Sequence, residues 1–472
     1  MNKTKSLLKD SALARWTALI LVSLTMFAGY YFADVLSPLK SMIIENAKLN
    51  WSNTGYGMYT SAYSWFNVFF GMLIIGGIIL DKSGIRFTGL SFSLLMVIGG
   101  SLNYYALTDT FLNGGPGYAF LNSFLTNISP SLKLASFGFA LFGVGIEIIG
   151  VTASRTIVKW FKGKEMATAM ALQVAIARMG MLLVFYSSPR LAGDAHIITR
   201  PVAFGILLMI IGFATFLVYT FMDTKFDRQA ANLRIKENIT VEEEKFKFSD
   251  IGKLFTNRSY IYIALLCVLF YSAVFPFMKY APDLMVNKFG VLAKTAGDIP
   301  SILPLGTMIL TPIFGLFLDY KGKSASIMIL GSILLIFVHL VFAYGPASQP
   351  LAIGLMLILG VAFSLVPAAM WPSVPKIVDE RYLGTAYSLI FWVQNWGLWG
   401  MPLFIGWLLD KVNPGITEQI RNGVAGAHYN YTIPMLVFTA TGILGLVFAF
   451  LLKREDKVSG FGLELPNKIK KA

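Results

Sequence analysis

Gly76-Gly-Ile-Ile-Leu-Asp81-Lys-Ser-Gly-Ile-Arg86 closes one long apolar stretch, and Gly315-Leu-Phe-Leu-Asp319-Tyr-Lys321-Gly-Lys323 closes another. Asp81 and Asp319 stand 238 residues apart, close to half of the 472-residue chain. Each copy ends a greasy helix in small residues, an acid and then bases. The glycines permit close helix packing, and the Lys and Arg hold the turn at the headgroup level. Asp81 falls at a helix C-terminus, the unfavourable end for an anion. It therefore needs a partner, either Arg86 or the positive N-terminal end of a helix from the other half. Such a contact is a latch that exists only while the two halves are closed on that side. Asp81, Arg86 and Asp319 are accordingly read as gating residues.

Outward from these loops the chain is 56% hydrophobic and 14% charged, with mean hydropathy +0.66. That is too apolar for a soluble protein of this length. Stretches of roughly 20 apolar residues, the length of helix that crosses the hydrocarbon, recur twelve times. They lie near 16–38, 54–80, 87–107, 134–156, 166–188, 201–222, 259–281, 299–318, 325–345, 351–373, 383–409 and 431–452. The fold class is an all-α polytopic membrane protein with twelve transmembrane helices in two six-helix bundles. Residues 223–258, with eight Lys or Arg and seven Asp or Glu, form the linker between a first bundle (1–222) and a second (259–472). The second ends in a basic tail.

A net charge of +14 raises nucleic acid as a partner, and its distribution rejects it. With both termini inside, 28 of the 39 Lys and Arg fall in inner segments, as the positive-inside rule requires. The surplus orients the chain in the lipid bilayer. Cys267 is the single cysteine, so no internal disulfide forms, and the three histidines lack metal-ligand spacing. No phosphate loop, nucleophile elbow or extramembrane catalytic domain is present. The expectation is not an enzyme, with no cofactor, no metal and a monomeric state.

Two opposite charges interrupt apolar runs. Glu147 stands in the fourth span and Arg178 in the fifth, each about a dozen residues from the loop that joins them. At 1.5 Å per residue both lie roughly 18–20 Å from one membrane face. Mid-bilayer charges cost roughly 2.5–3.5 kcal/mol each on insertion scales, so they face a watery cavity, pair together or serve a substrate. A carboxylate and a guanidinium at one level suit the ammonium and carboxylate of one small zwitterion, a dipeptide or an amino acid. The alternative is a buried ion pair that fixes helix registry. Gln394 and Asn395 reach the same depth in span eleven. Trp65 lies near the midplane of span two with Tyr59 and Tyr63 further out, and Trp371 sits lower in span ten. These six are candidate substrate-binding residues beside Glu147 and Arg178. Asp34 and Lys279 stand at similar heights in spans one and seven and are read as an outer gate.

The paired Gly-x-x-x-Asp loops resemble the major facilitator superfamily over essentially the whole chain. Tyr63-Ser-Trp65-Phe-Asn67, Phe161-Lys-Gly-Lys-Glu165, Ala177-Arg178-Met-Gly180, Ala369-Met-Trp371-Pro372 and Leu383-Gly-Thr-Ala-Tyr387 are similar to its lysosomal dipeptide-uniporter branch and that branch's bacterial relatives. The resemblance implies alternating access between two bundles, with Glu147 and Arg178 on the two ends of a peptide. Departures also count. Leu7-Leu8 lacks the acid of a lysosomal sorting signal, which with the short loops favours a bacterial inner (plasma) membrane. The Glu-x-x-Glu-Arg motif of proton-coupled peptide carriers is missing from span one. The reading is therefore a uniporter of small zwitterions, dipeptides first. A proton-coupled symporter of organic anions, amino acids or sugars is the alternative, and a solute receptor that does not transport is the second.

Overall fold

The computed structural model describes residues 8–161, 164–237, 252, 254–379 and 383–466, all of it helix, turn and loop. Glu242-Glu243-Glu244 of the linker and the last basic residues of the tail lie outside the described residues. The apolar stretches become long helices. Ala12–Ala33 is the first and Pro130–Phe161, Met166–Ala192 and Thr199–Glu237 are the fourth to sixth. Arg258–Phe289, Ile302–Lys321, Ser324–Tyr344, Gln349–Ile377, Leu383–Val412 and Thr432–Ser459 are the seventh to twelfth. The sixth continues well past residue 222, so the first part of the expected linker is helix.

The second span is broken, a departure from the single helix expected over 54–80. Asn53–Ala62 gives way to Trp65–Phe69, and a further helix begins at Met72. Gly71 between the last two has φ +61°, a left-handed value that glycine adopts without strain. The same helix assignment runs on through Gly84 (φ +78°), where the chain turns back into span three, ending at Ala106. Ten helices among the described residues are long and apolar enough to cross a membrane by length and composition. Spans two and three share one of them, and span eleven, diluted by Trp, Gln and Asn, is not among them. Twelve crossings follow.

Spans one to six pack on one another, as do seven to twelve. Small residues set the closest approaches. A Cβ on Gly99 would lie 2.5 Å from the Gly138 carbonyl oxygen, and one on Gly138 2.6 Å from that of Gly99, so spans three and four touch backbone to backbone. The first and last described residues, Leu8 and Pro466, lie on one face, here the terminal face, and the opposite face is the distal one. On the terminal face Arg15 pairs with Glu165 at 3.0 Å, tying span one to the start of span five. The Glu165 carboxyl is held below its ordinary range, first by its own backbone N–H and then by Arg15.

The expected latch takes a different form. Asp81 pairs with Arg155 of span four rather than with Arg86 or a helix from the other half. Arg86 instead reaches Asp227 at 3.2 Å and donates to Thr224 Oγ1 at 2.8 Å, both on the long sixth helix. The reason is geometric: these terminal-face pairs stay within the first half because the halves meet at the distal face. Asp319 is half-buried at the end of span eight.

Candidate functional site: a cavity between the halves

A cavity of ≈ 540 Å³ opens between the two bundles, inside the range of small-molecule sites. Span one contributes Tyr30 and Asp34, span four Glu147, span five Arg178, span seven Phe275 and Lys279, and span ten Phe363 and Trp371. Leu73, Ser154, Gln173 and Thr311 line its end toward the terminal face. At the other end the bundles are sealed. Lys279 Nζ donates to Asp34 Oδ1 at 2.7 Å and to the Ala33 carbonyl at 2.6 Å. Arg190 grips Asp298 with two bonds of 2.7 and 2.8 Å, and Thr54 donates to Asp410 through its backbone N–H (2.7 Å) and hydroxyl (2.6 Å). Each of these joins one half to the other. The cavity is therefore open to the terminal face and shut at the distal one.

Glu147 and Arg178 both line it. They lie 14 and 12 residues from the terminal-face ends of their helices, which is ~21 and ~18 Å at 1.5 Å per residue. Glu147 Oε1 accepts a hydrogen bond from the Tyr63 hydroxyl at 2.8 Å. Arg178 stands over aromatic faces, with its guanidinium carbon 5.2 Å from the Phe363 ring centre, 5.8 Å from Phe275 and 5.9 Å from Tyr30. Its hydrogen-bond partner among the described residues is the thioether of Met181 at 3.8 Å, a weak acceptor. The structural ion pair between Glu147 and Arg178 is not formed. Two of the rings over Arg178 belong to the second half, so the cation spans the seam between bundles.

The other candidates divide. Tyr63, Trp371, Gln394, Asp34 and Lys279 line the cavity. Trp371 donates to the Tyr271 hydroxyl at 3.1 Å and stacks on Phe391, and Gln394 Oε1 accepts from Cys267 Sγ at 3.6 Å. Tyr59, Trp65 and Asn395 do not line it. Tyr59 is buried in the first half, stacked on Phe139 with its hydroxyl accepting from Asn103 Nδ2 at 2.7 Å. Tyr59 and Tyr63 were both expected as substrate-binding residues in the outer part of span two, but the helix stops at Ala62 and only Tyr63 turns to Glu147. Trp65 rides on the short middle segment. Asn395, about 100° round the helix from Gln394, accepts from Ser64 Oγ at 2.9 Å across the seam. The Trp392, Trp396 and Trp399 stripe also faces that segment, with Trp392 Nε1 donating to the Val68 carbonyl and Phe69 against Trp396 and Trp399.

Sequence reasoning missed Tyr30, Phe275 and Phe363. Tyr30 was within reach, since it lies one turn before Asp34 on the same face of span one. Nothing in the local sequence of Phe275 or Phe363 separates a cavity phenylalanine from a lipid-facing one.

Two bundles enclose a central cavity, closed at one face and open at the other, and the family and relatives make the chain a transporter and not an enzyme. The chain belongs to the Major Facilitator Superfamily, whose profile matches residues 19–402 and 281–466. It is 29% identical to the lysosomal dipeptide transporter MFSD1 of Homo sapiens over 407 residues, covering 84% of this chain and 80% of that protein. The same protein from Danio rerio is 29% identical over 408 residues (84% and 81%). Among solved structures, a D-xylose-proton symporter superposes with a TM-score of 0.67 at 14% identity, over 92% of this chain and 97% of that one. A bacterial homologue of the human lysosomal transporter Spinster, in an inward-facing and occupied conformation, gives 0.64 at 14% (94% and 98%). At such identities these two structures show the fold alone.

Proposed function

We propose that this transporter carries small zwitterions, dipeptides first, by alternating access as a uniporter. The observation that carries the reading is the pair Glu147 and Arg178: one depth, one cavity, opposite charge, and neither neutralised by the other. Glu147 takes the ligand's α-ammonium and Arg178 its α-carboxylate, which the planar guanidinium can bind bidentately. Tyr63 holds the Glu147 carboxylate in place, and Trp371, Phe275 and Phe363 supply apolar surface for side chains. The MFSD1 relatives, lysosomal dipeptide transporters, support the dipeptide as first candidate. The basic excess supports a cytoplasmic terminal face and with it an inward-open state, and the membrane of this reading is a bacterial plasma membrane. The protein acts as a monomer.

A thermal-shift series on the purified protein tests this. A free dipeptide such as Ala-Ala raises the melting temperature because it binds the folded state. N-acetylation or C-amidation of the same peptide, each removing one charged end, abolishes most of the shift. Equal shifts from the free and blocked peptides would reject the zwitterion reading. A stabilising sugar or organic acid, with flux driven by an imposed pH gradient, would favour the proton-coupled symporter instead.

Asp34 and Lys279 act as the distal gate. Asp34→Lys and Lys279→Asp each lower uptake about tenfold or more by placing like charges face to face across the seam. The double swap restores most of it. If the swap is no better than the single variants in a liposome uptake assay, the gate assignment falls.

A further inference from the structure

Beyond the Asp34–Lys279 pair, toward the distal face, Lys40 has no exposed surface at all. Its ammonium donates to Asp283 Oδ2 and to Asn53 Oδ1, both at 2.6 Å. Four tyrosine rings, Tyr56, Tyr280, Tyr429 and Tyr431, stand 5.2–6.0 Å from the nitrogen. Asp283, 1% exposed, also accepts from the Tyr431 hydroxyl. Lys40, Asn53 and Tyr56 belong to the first half, and Asp283 and the other three tyrosines to the second. Lys40 does not line the ligand cavity, so its charge is not there for the ligand.

A buried ion pair is a poor fastener. Removing both ions from water consumes most of what their attraction returns, and an apolar pair of similar volume holds two surfaces together as well or better. The distal face already has apolar and aromatic contact for closure, such as Tyr56 edge-on to Tyr280. The energetics differ in the other direction. When the halves part at the distal face, Lys40 and Asp283 both regain hydration, which offsets part of the lost aromatic contact. Asp283 also borders a cleft of ≈ 70 Å³ shared with Glu45 and Asn287, roomy enough to admit water as the faces separate.

We propose that the Lys40–Asp283 pair is a release element of the distal gate: it keeps the closed face reopenable and so sets how fast the carrier resets. The inference rests on the alternating-access reading but not on the identity of the ligand. A second consequence separates it from an ordinary lock. Removing one charge strands the other in the tyrosine cage and should open the face, whereas removing both should shut it more firmly.

The test uses full-length protein in lipid nanodiscs, with Cys267→Ala and spin labels at Thr126→Cys and Ala425→Cys. Both positions are exposed and lie on distal loops of opposite halves. Pulsed electron-electron distance distributions then report the open fraction without any ligand. Lys40→Met and Asp283→Leu should each raise the ratio of open to closed about tenfold or more. The double variant Lys40→Met/Asp283→Leu should return to or below the wild-type open fraction, with counterflow turnover slower than wild type. The charge swap Lys40→Asp/Asp283→Lys should restore the wild-type distribution, and it serves if the apolar double fails to fold. The proposal is overturned if the single variants stay as closed as wild type, if the double is as open as the singles, or if the closed double turns over at the wild-type rate. Failure of the dipeptide reading would show separately, as an absent thermal shift in wild-type protein.

Discussion

Arg178→Lys should lower dipeptide affinity roughly 10- to 100-fold, and Arg178→Ala further, with the protein still folded and monodisperse. The guanidinium is held by three rings and by no carboxylate among the described residues, so its donors are available to a ligand. A buried charged hydrogen bond contributes about 1.5–3 kcal/mol, and truncation of a buried, paired charge costs about 2–5 kcal/mol. Lysine keeps the charge but loses the planar fork and the stacking on Phe363. Isothermal titration with Ala-Ala reads the loss directly. Wild-type affinity in both variants would remove Arg178 from the site.

The second large effect is expected where the bundles close. A Cβ on Gly297, in the segment leading into span eight, would lie 1.9 Å from the Phe185 carbonyl oxygen of span five. One on Gly406 in span eleven would lie 2.2 Å from the carbonyl oxygen of Asn53. Both contacts join opposite halves at the distal face, and both obstacles are backbone, which cannot swing aside. Overpacking of this kind costs roughly 1–3 kcal/mol per site. The cost falls on the closed distal state alone, because the surfaces part when that face opens. Gly297→Val and Gly406→Val should therefore each shift the equilibrium toward distal opening about 5- to 150-fold. The two sites share no partner, so their free energies should add and the double variant should show nearly the product of the two fold-changes. Accessibility of a distal-cavity cysteine to a membrane-impermeant reagent measures the shift. Unchanged accessibility in all three variants would place the closure elsewhere.

Most of the architecture was legible because the bilayer imposes strong rules on sequence. Twenty-residue apolar runs, basic loops on one side and a repeated Asp81 and Asp319 loop led to twelve helices in two bundles. The depth of Glu147 and Arg178 followed from counting 1.5 Å per residue back from one loop, and the helices keep that register. Register alone does not set which way a side chain faces once a helix breaks. Tyr59 and Trp65 were misplaced because span two is interrupted at Tyr63-Ser64 and again at Phe70-Gly71, and one turn of lost helix sends neighbours to different walls. Asn395 was misplaced for a simpler reason. It adjoins a cavity residue, and adjacent residues on a helix diverge. The partner of Asp81 was misjudged because Arg155 lies 74 residues away, and no spacing rule links them.

The distal network was invisible for a related reason. Lys40 and Asp283 each sit near the end of an apolar run, where a charge ordinarily reaches the headgroups. Only the packing of two halves turns these positions inward and places four tyrosines around one ammonium. The short middle segment of span two has the same origin, with Val68 and Phe69 seated against the tryptophans of span eleven. The seam between bundles thus rests on residues from distant parts of the chain, while Glu147 and Arg178 lie on two helices joined by one loop.

A four-point binding cycle tests the central claim most directly: wild type and Glu147→Gln, each titrated with Ala-Ala and with N-acetyl-Ala-Ala. If Glu147 holds the ligand's ammonium, acetylation costs the wild type about tenfold or more in affinity. It then costs the glutamine variant almost nothing, because the contact is already gone. Equal losses on acetylation in both proteins would mean that the carboxylate of span four and the amino end of the ligand never meet.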